Sequence, residues 1–221
     1  MNALRLTAGT CLVIAALLTS AASRADVIGA AYLNNANSGN AVIGFPHGAP
    51  DATFRVPSPT NPSCTGMFAG NALCFNSFAA GNGYTLGGFL ATGGATILTG
   101  TAAALASDLN NTVFEFTGNV TVTTGEMFQA GHDDGLQLMI GSLLVINAPG
   151  PTGFTTTPAT YTGPSGTFSF DLVYGECCGA PALLGISLPL QTPSAVPEPA
   201  SLALFGIGLA ALAASRRRKL N

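Results

Sequence analysis

Charge is scarce in this chain. Only 8% of its 221 residues are charged, against about 25% in ordinary soluble domains. Intrinsic disorder does not explain the shortage, because 48% of the residues are hydrophobic and disordered chains are poor in apolar residues. Basic residues are rarest. Between residues 26 and 199, Arg55 stands alone against all 10 acids, a net formal charge of −9. A region without basic residues cannot neutralise phosphates, so nucleic-acid binding is excluded.

Catalytic motifs are also absent. The sequence has no nucleophile elbow, H-E-x-x-H helix, P-loop or separated carboxylate pair in a plausible cleft, and we expect no enzymatic activity. His132 precedes Asp133, but no Ser or Cys motif accompanies it, so we interpret it as a solvated loop histidine. With His47 and His132 as the only histidines and no C-x-x-C, a zinc cluster has little support.

The N-terminus has the parts of a secretory signal peptide. Arg5 precedes an apolar stretch from Leu12 to Leu18, and small residues stand at positions −3 and −1 of a cleavage site after Ala25. We predict a signal peptide over residues 1–25. A retained membrane anchor is the alternative, which the shortness of the apolar stretch disfavours.

An uncharged apolar segment, residues 200–215, lies near the C-terminus. As a helix it would span roughly 24 Å of a ~30 Å hydrocarbon layer. Four cations follow it directly and stay cytoplasmic by the positive-inside rule: Arg216, Arg217, Arg218 and Lys219. We therefore predict a transmembrane helix over 200–215 that anchors the exported region to the inner membrane.

The four residues before this helix are Val196, Pro197, Glu198 and Pro199. With the short apolar helix and the basic cluster, residues 196–221 resemble the PEP-CTERM sorting signal of Gram-negative bacteria. The resemblance implies an exosortase and the secretion machinery as partners, cleavage near Pro-Glu-Pro, and export in company with exopolysaccharide. A chance Pro-Glu-Pro before an ordinary anchor is the alternative.

The exported region, residues 26–190 followed by a linker at 191–195, is long enough for one domain with its own core. β-Branched and aromatic runs separated by Gly, Pro and Asn predict short strands, and hence an all-β antiparallel sandwich or barrel. The predicted strands are 113–117, 120–124, 127–130, 136–140, 143–146, 167–174 and 182–188, the first two forming a hairpin at Gly118-Asn119. We expect a rigid loop at 56–66, turns or an irregular insertion at 81–101 and one helical turn at 102–108.

Part of this region resembles the PA-fourteen type domain, a β-sandwich found in protective antigen, flocculins and some glycosidases. The resemblance is best over 113–188, where a strand leads into Asp133-Asp134-Gly135 and an alternating strand, a glycine turn and Leu-Val-Ile-Asn follow. A later strand ends in Tyr174, and 179–184 also match. Residues 30–35 suit the opening strand.

Two adjacent aspartates, Asp133 and Asp134, place hard oxygen donors in one loop, as Ca²⁺ prefers. In the sugar-binding members of the resembled family such a pair, joined by a cis peptide, holds calcium, and the calcium holds sugar hydroxyls. The resemblance therefore implies Ca²⁺ as a cofactor, with Glu176 or backbone carbonyls of the loop 175–179 as further donors. A plain turn is the alternative, because Asp is favoured in turns for side-chain hydrogen bonds and Gly for positive φ.

Four cysteines remain after signal cleavage: Cys64, Cys74, Cys177 and Cys178. An even number in an exported protein predicts two disulfides with three possible connectivities. A bond between the neighbours Cys177 and Cys178 would need a strained eight-membered ring. We therefore expect both to reach back to Cys64 and Cys74.

Two functions are consistent with these features. The first is a non-catalytic binding module for polysaccharide that uses calcium at Asp133 and Asp134. The second is a structural protein of the biofilm matrix with no specific ligand. In both cases we expect the protein to be membrane-anchored before sorting and then to lie at the cell surface or outside the cell.

Overall fold

The computed structural model describes residues 27–45, 48–56, 64, 72–77 and 83–190. Of the two units into which the chain divides, only Ser23–Ser194 contains described residues. The predicted signal peptide, linker, sorting motif and transmembrane helix at 200–215 all lie outside them. Within the described ranges, no helix is long and apolar enough to cross a membrane.

The described residues form two antiparallel sheets, which confirms the all-β prediction. The seven-stranded sheet has the order β4-β2-β1-β5-β10-β7-β8, and the four-stranded sheet has the order β3-β11-β6-β9. The strands are β1 Val27–Tyr32, β2 Ala52–Val56, β3 Leu73–Asn76, β4 Thr96–Gly100, β5 Thr112–Val122, β6 Met127–Asp133, β7 Leu136–Ile140, β8 Leu143–Ala148, β9 Thr155–Thr160, β10 Gly166–Glu176 and β11 Leu183–Ile186. Two short helices, α1 Leu86–Thr92 and α2 Ala102–Ala106, join β3, β4 and β5.

Aromatic side chains from both sheets fill the core. The ring of Phe116 on β5 lies 5.6 Å from Phe54 of its own sheet and 5.4 Å from Phe75 of the other sheet. Gly29 on β1 makes room for this cluster, since a Cβ there would come within 2.2 Å of the Phe54 ring. All three phenylalanines are almost fully buried, and truncation of such a side chain to alanine typically costs about 3–5 kcal/mol.

The predicted hairpin at Gly118-Asn119 is wrong. Residues 112–122 are one continuous strand, in which Gly118 pairs with Phe170 and Asn119 with Ser169 of β10. A tight Asn/Gly hairpin turn needs positive φ at its central residues, and neither Gly118 nor Asn119 has it. Pairing along the whole of β10 therefore keeps this segment extended.

The segment 81–101, expected to be irregular, contains a helix and a strand. Helix α1 begins after Thr85, whose side chain accepts a hydrogen bond from the Gly88 N–H at 3.2 Å. It buries Leu86, Phe89 and Leu90 against the core. The predicted helical turn at 102–108 is confirmed as α2.

The predicted disulfide connectivity is also wrong. Cys64 bonds to Cys74, and Cys177 bonds to Cys178. Cys74 lies on β3 of the four-stranded sheet, where it clusters with Cys64 and Leu183. Cys177 follows β10 of the other sheet and donates its backbone N–H to Asp134. Each cysteine is thus held beside its near neighbour in sequence.

The long strand pair β5–β10 defines two ends of the sandwich. Thr112 pairs with Glu176 at one end and Val122 with Gly166 at the other. Asp133 and Cys177 lie at the Glu176 end, because β6 ends at Asp133 and Cys177 directly follows the last residue of β10. The described chain begins beside the middle of β5, where Ile28 pairs with Thr117, and finishes nearer the other end, where Leu190 bridges to Val120.

Candidate cation and ligand site

Three loops line an open cavity of about 370 Å³ at the Glu176 end of the sandwich. They connect β6 to β7, β8 to β9 and β10 to β11. The lining residues are Asp133, Asp134, Pro151, Thr152, Gly153, Cys177, Cys178, Gly179, Ala180 and Pro181. Sequence reasoning identified the first and third loops but not the β8–β9 loop, which carries no charged residue to signal a site.

The Asp134 carboxylate ties the three loops together. Its Oδ1 accepts the Thr152 N–H at 3.0 Å, and its Oδ2 accepts the Cys177 N–H at 2.9 Å. Both partners lie in other loops, so this side chain does not make the local hydrogen bond of an ordinary Asx turn. The peptide bond between Asp133 and Asp134 is cis, as the resemblance implies.

Gly135 is required by a close contact rather than by positive φ. A Cβ at this position would lie 2.1 Å from the Pro149 carbonyl oxygen, and Gly135 is not among the residues with positive φ. The Asp-Asp-Gly segment does connect β6 to β7. However, its glycine lets the β8–β9 loop approach and so helps to close the cavity.

Negative charge in the cavity has no basic side chain beside it. Asp133 and Asp134 are 7% and 5% exposed, and none of the lining residues is Lys, Arg or His. Burial and the neighbouring Asp134 charge raise the pKa of Asp133, while a hydrogen bond from the Phe154 backbone acts in the opposite direction. A bound cation would relieve both of the unfavourable effects on the charged form.

His132 is a buried strand residue, not the solvated loop histidine we expected. It is fully buried on β6. Its Nδ1–H donates to the Asp134 carbonyl, and its Nε2 lies 2.8 Å from the Thr157 hydroxyl. Burial lowers its pKa, which agrees with a neutral ring that accepts from Thr157. His132 therefore supports the backbone of the aspartate pair, and His47 lies outside the described residues.

Glu176 does not line the cavity. Its carboxyl group is fully buried and contacts the hydroxyl groups of Tyr84 and Tyr174, the latter at 2.7 Å. Burial raises its pKa from 4.5 to about 8 although both tyrosine hydrogen bonds act to lower it. Both carboxyl oxygens of Glu176 are thus engaged with tyrosines and not with the cavity. The backbone carbonyls of the loop 175–179 remain as the further calcium donors.

A chain of hydrogen bonds links Tyr84, Glu176 and Tyr174 to Asp133. The Tyr174 hydroxyl contacts Glu176 Oε2 and the Asp133 carbonyl oxygen, and it accepts the Leu183 N–H at 3.2 Å. One hydroxyl proton cannot serve two acceptors. A protonated Glu176 resolves this, because its own proton then lies between Oε2 and Tyr174 while Tyr174 donates to Asp133. Sequence reasoning missed Tyr84, which lies in the segment expected to be irregular.

The Cys177–Cys178 disulfide forms one wall of the cavity. Both sulfur atoms and a carboxylate oxygen of Asp134 lie within 4.8 Å of one another. Metals bind cysteine as the thiolate, and these sulfurs are bonded to each other. The oxygen atoms of Asp133 and Asp134 are therefore the side-chain donors that suit a cation here.

Comparison with known proteins identifies the C-terminal segment. Residues 195–219 match the PEP-CTERM protein-sorting motif, which confirms the sequence-based assignment and implies sorting by an exosortase. No curated protein matches the chain.

Solved structures similar to this chain include PA14 domains. A PA14 sugar-binding domain from an RTX adhesin is 21% identical, with a TM-score of 0.49, over 75% of this chain and 90% of its own. The PA14 domain of the antifreeze protein MpAFP is 18% identical, also with a TM-score of 0.49, over 76% and 83%. A β-glucosidase from Kluyveromyces marxianus is 12% identical, with a TM-score of 0.34, over 80% of this chain and 17% of its own.

Proposed function

We propose that residues 26–190 form a non-catalytic module that binds polysaccharide through a calcium ion held by Asp133 and Asp134. The observation that carries the proposal is the pair of adjacent, buried carboxylates in one cavity with no basic side chain in its lining. The module would work outside the cytoplasm, since the sorting motif at 195–219 implies export.

The donor set fits calcium better than a softer metal. Calcium takes 6–8 oxygen ligands, including carboxylates, carbonyls and water. Each carboxylate oxygen of Asp134 accepts one backbone N–H and keeps a second lone pair for a cation. Carbonyls of the three loops, water and ligand hydroxyls would complete the coordination. Bound calcium would supply a positive centre on which adjacent sugar hydroxyls can be fixed.

Charge gives a second argument for calcium. The region between residues 26 and 199 carries a net formal charge of −9, which would repel an acidic polysaccharide unless a divalent cation lay between them. The alternative, a structural matrix protein without a specific ligand, does not require a cation at this site.

The test is thermal unfolding of residues 26–195, which include every described residue, with and without calcium. Calcium at 100 times its Kd should stabilise the folded state by about 2.7 kcal/mol. Asp133→Asn/Asp134→Asn should lose this shift. A matched control is Glu115→Gln/Asp171→Asn, which neutralises two acids on neighbouring strands of the seven-stranded sheet, outside the cavity lining, and should keep it. No calcium shift in the unmodified domain would favour the structural role.

Retention of polysaccharide by cells tests whether the module binds polysaccharide, the second part of the proposal. Cells that produce the Asp133→Ala protein should lose retention of polysaccharide that the unmodified protein supports. Unchanged retention would contradict a binding role for this pair and leave the matrix protein as the better description.

A further inference from the structure

The cavity pairs a polar floor with an apolar wall. Asp133 and Asp134 supply the carboxylates, while Pro151, Ala180, Pro181 and the Cys177–Cys178 disulfide supply surfaces without charge. Cys178 is exposed and Cys177 is buried, so the disulfide joins the open side of the cavity to the packed interior. This division suits a ligand that is itself polar along one edge and apolar on one face.

A pyranose ring has this character. Its hydroxyl groups project from the rim of the ring, and its axial C–H groups make one or both faces apolar. Binding sites for small ligands combine apolar walls with a few well-placed polar groups. A ring held by two hydroxyls at a cation therefore needs an apolar surface within a few ångströms of that cation.

Aromatic side chains are the usual flat apolar surfaces in proteins, but none lines this cavity. The chain has no Trp at all. Among the lining residues, the disulfide lies close to the proposed cation ligand, with both sulfurs within 4.8 Å of an Asp134 carboxylate oxygen. Sulfur is soft and polarisable and makes favourable dispersion contacts.

We propose that the Cys177–Cys178 disulfide is the platform on which the C–H face of a pyranose ring lies while two adjacent hydroxyls of that ring bind the calcium. The inference rests on the proposed function and adds the ligand class and a specificity-determining group. The Cys177 N–H donates a 2.9 Å hydrogen bond to Asp134 Oδ2. This bond holds the disulfide beside the Asp134 carboxylate, the proposed calcium ligand.

The size of the cavity suits a single sugar unit beside the disulfide. Its volume of about 370 Å³ is near the lower end of the roughly 300–1,000 Å³ of small-molecule sites. Because the cavity is open to solvent, the rest of a polysaccharide could continue out of it.

The experiment separates calcium binding from sugar binding. Calcium affinity is measured by titration calorimetry, and sugar affinity with the methyl pyranoside that binds best among methyl mannoside, galactoside, glucoside and fucoside. Cys177→Ser/Cys178→Ser should keep calcium affinity within about threefold and bind the pyranoside at least about tenfold more weakly. Cys64→Ser/Cys74→Ser is the matched control, which removes the other disulfide and should change neither affinity.

Chemical reduction gives a second measurement that needs no substitution at Cys177 or Cys178. In the Cys64→Ser/Cys74→Ser protein, a water-soluble phosphine can reduce only the Cys177–Cys178 bond. The phosphine is oxidised to its oxide by taking the oxygen of one water molecule, whose two hydrogens go to the two thiols. Pyranoside binding should fall on reduction and return when an added disulfide oxidant reforms the bond.

The outcomes distinguish the inference from the proposed function. Unchanged pyranoside affinity after both serine substitution and reduction would overturn the platform and leave the calcium module intact. Loss of calcium affinity in Cys177→Ser/Cys178→Ser would also overturn it, because the disulfide would then act on the cation. If the unmodified domain binds calcium but none of the pyranosides, the platform is overturned, and the polysaccharide retention test decides the proposed function.

Discussion

The hydroxyl of Tyr174 donates a hydrogen bond to the backbone carbonyl of Asp133, 41 positions earlier in the chain. Tyr174 lies on β10 of the seven-stranded sheet, and Asp133 ends β6 of the four-stranded sheet. This contact therefore joins the two sheets directly beneath the cavity. It also holds the backbone of one proposed calcium ligand without using its carboxylate.

Tyr174→Phe should weaken both the fold and the calcium site. The substitution leaves the Asp133 carbonyl, the Leu183 N–H and Glu176 each without one partner, and buried unpaired groups typically cost about 1–3 kcal/mol. We expect a lower melting temperature in the absence of calcium. We also expect weaker calcium binding by titration calorimetry, because Asp133 loses its support.

Tyr84→Phe is the matched control for this substitution. It removes a hydroxyl at the far end of the same hydrogen-bond chain, where the partner is Glu176 Oε1. It should lower the melting temperature but leave calcium affinity nearly unchanged. Equal loss of calcium affinity in both variants would contradict a specific role for Tyr174 in holding Asp133.

Glu176→Gln should leave calcium binding unchanged, because the carboxyl group is engaged with two tyrosines rather than exposed in the cavity. Glutamine can donate to Tyr174 and accept from Tyr84, as the protonated acid does. Calcium titration of the variant at pH 7 checks this. A large loss of affinity would restore Glu176 as a direct ligand.

The same substitution should flatten the dependence of stability on pH. The folded-state pKa of Glu176 is raised from 4.5 to about 8. The contribution of Glu176 to the free energy of unfolding is therefore complete below about pH 4.5 and is lost as the pH rises to about 8. Melting temperatures of the unmodified domain should fall over this range by more than those of Glu176→Gln. Parallel curves would show that Glu176 is ionised in the folded protein at neutral pH.

Asp171→Asn should stabilise the domain at neutral pH. Burial and the nearby charge of Glu115 raise the pKa of Asp171 from 3.8 to about 6, and its Oδ1 has no hydrogen-bond partner among the described residues. The favourable contribution of Asp171 to the stability of the folded domain is complete below about pH 3.8 and is lost as the pH rises through about 6. Because Asp171 is partly exposed, we expect a gain of about 1 kcal/mol at pH 7, or roughly 2–4 °C in melting temperature.

Melting at pH 3 is the internal control for Asp171→Asn. The acid is then protonated in both the folded and unfolded states, so the stabilisation should disappear. A gain of equal size at pH 3 and pH 7 would assign the effect to packing rather than to charge.

Peptide mapping without reductant should find Cys64 joined to Cys74 and a single peptide that contains both Cys177 and Cys178 and is lighter by two hydrogen atoms. Pepsin is the suitable protease, because Arg55 is the only basic residue between 26 and 199. Removal of the Cys64–Cys74 bond, which links residues 10 positions apart, should cost about 2–3 kcal/mol in the chain-entropy model. A peptide that joins Cys177 or Cys178 to Cys64 or Cys74 would contradict this connectivity.

Local sequence patterns were sufficient to predict a strand where that strand pairs with one close to it in the sequence. β7 begins and ends at the predicted residues 136 and 140, because its alternating apolar residues are followed by the turn glycine Gly141, which has positive φ. β5 shows the limit of this approach. Gly118-Asn119 is a turn signal in sequence, and only pairing with β10, some 50 residues later, keeps it extended.

β9 was missed for a related reason. Pro158 interrupts its Thr-rich sequence, and proline argues against a central strand. β9 is the outermost strand of the four-stranded sheet, where proline is tolerated because one side of the strand needs no hydrogen bonds.

The aspartate pair was found because two adjacent acids stand out in a chain with few charges. The environments of Glu176 and His132 could not be found in this way. Tyr84 lies 92 positions from Glu176, and Thr157 lies 25 positions from His132, so no local pattern indicates that either residue is buried. For these two residues, the distance of their partners in the sequence hid their environments.

The positions of Val27 and Leu190 should allow the domain to be fused to other proteins without disturbing the cavity. Val27 lies beside the middle of β5 and Leu190 nearer the end opposite Glu176, and neither residue lines the cavity. A host protein grafted onto either end would thus be joined where no cavity loop begins. The proposed calcium and sugar binding is therefore expected to survive fusion of either end of the domain to an unrelated carrier protein.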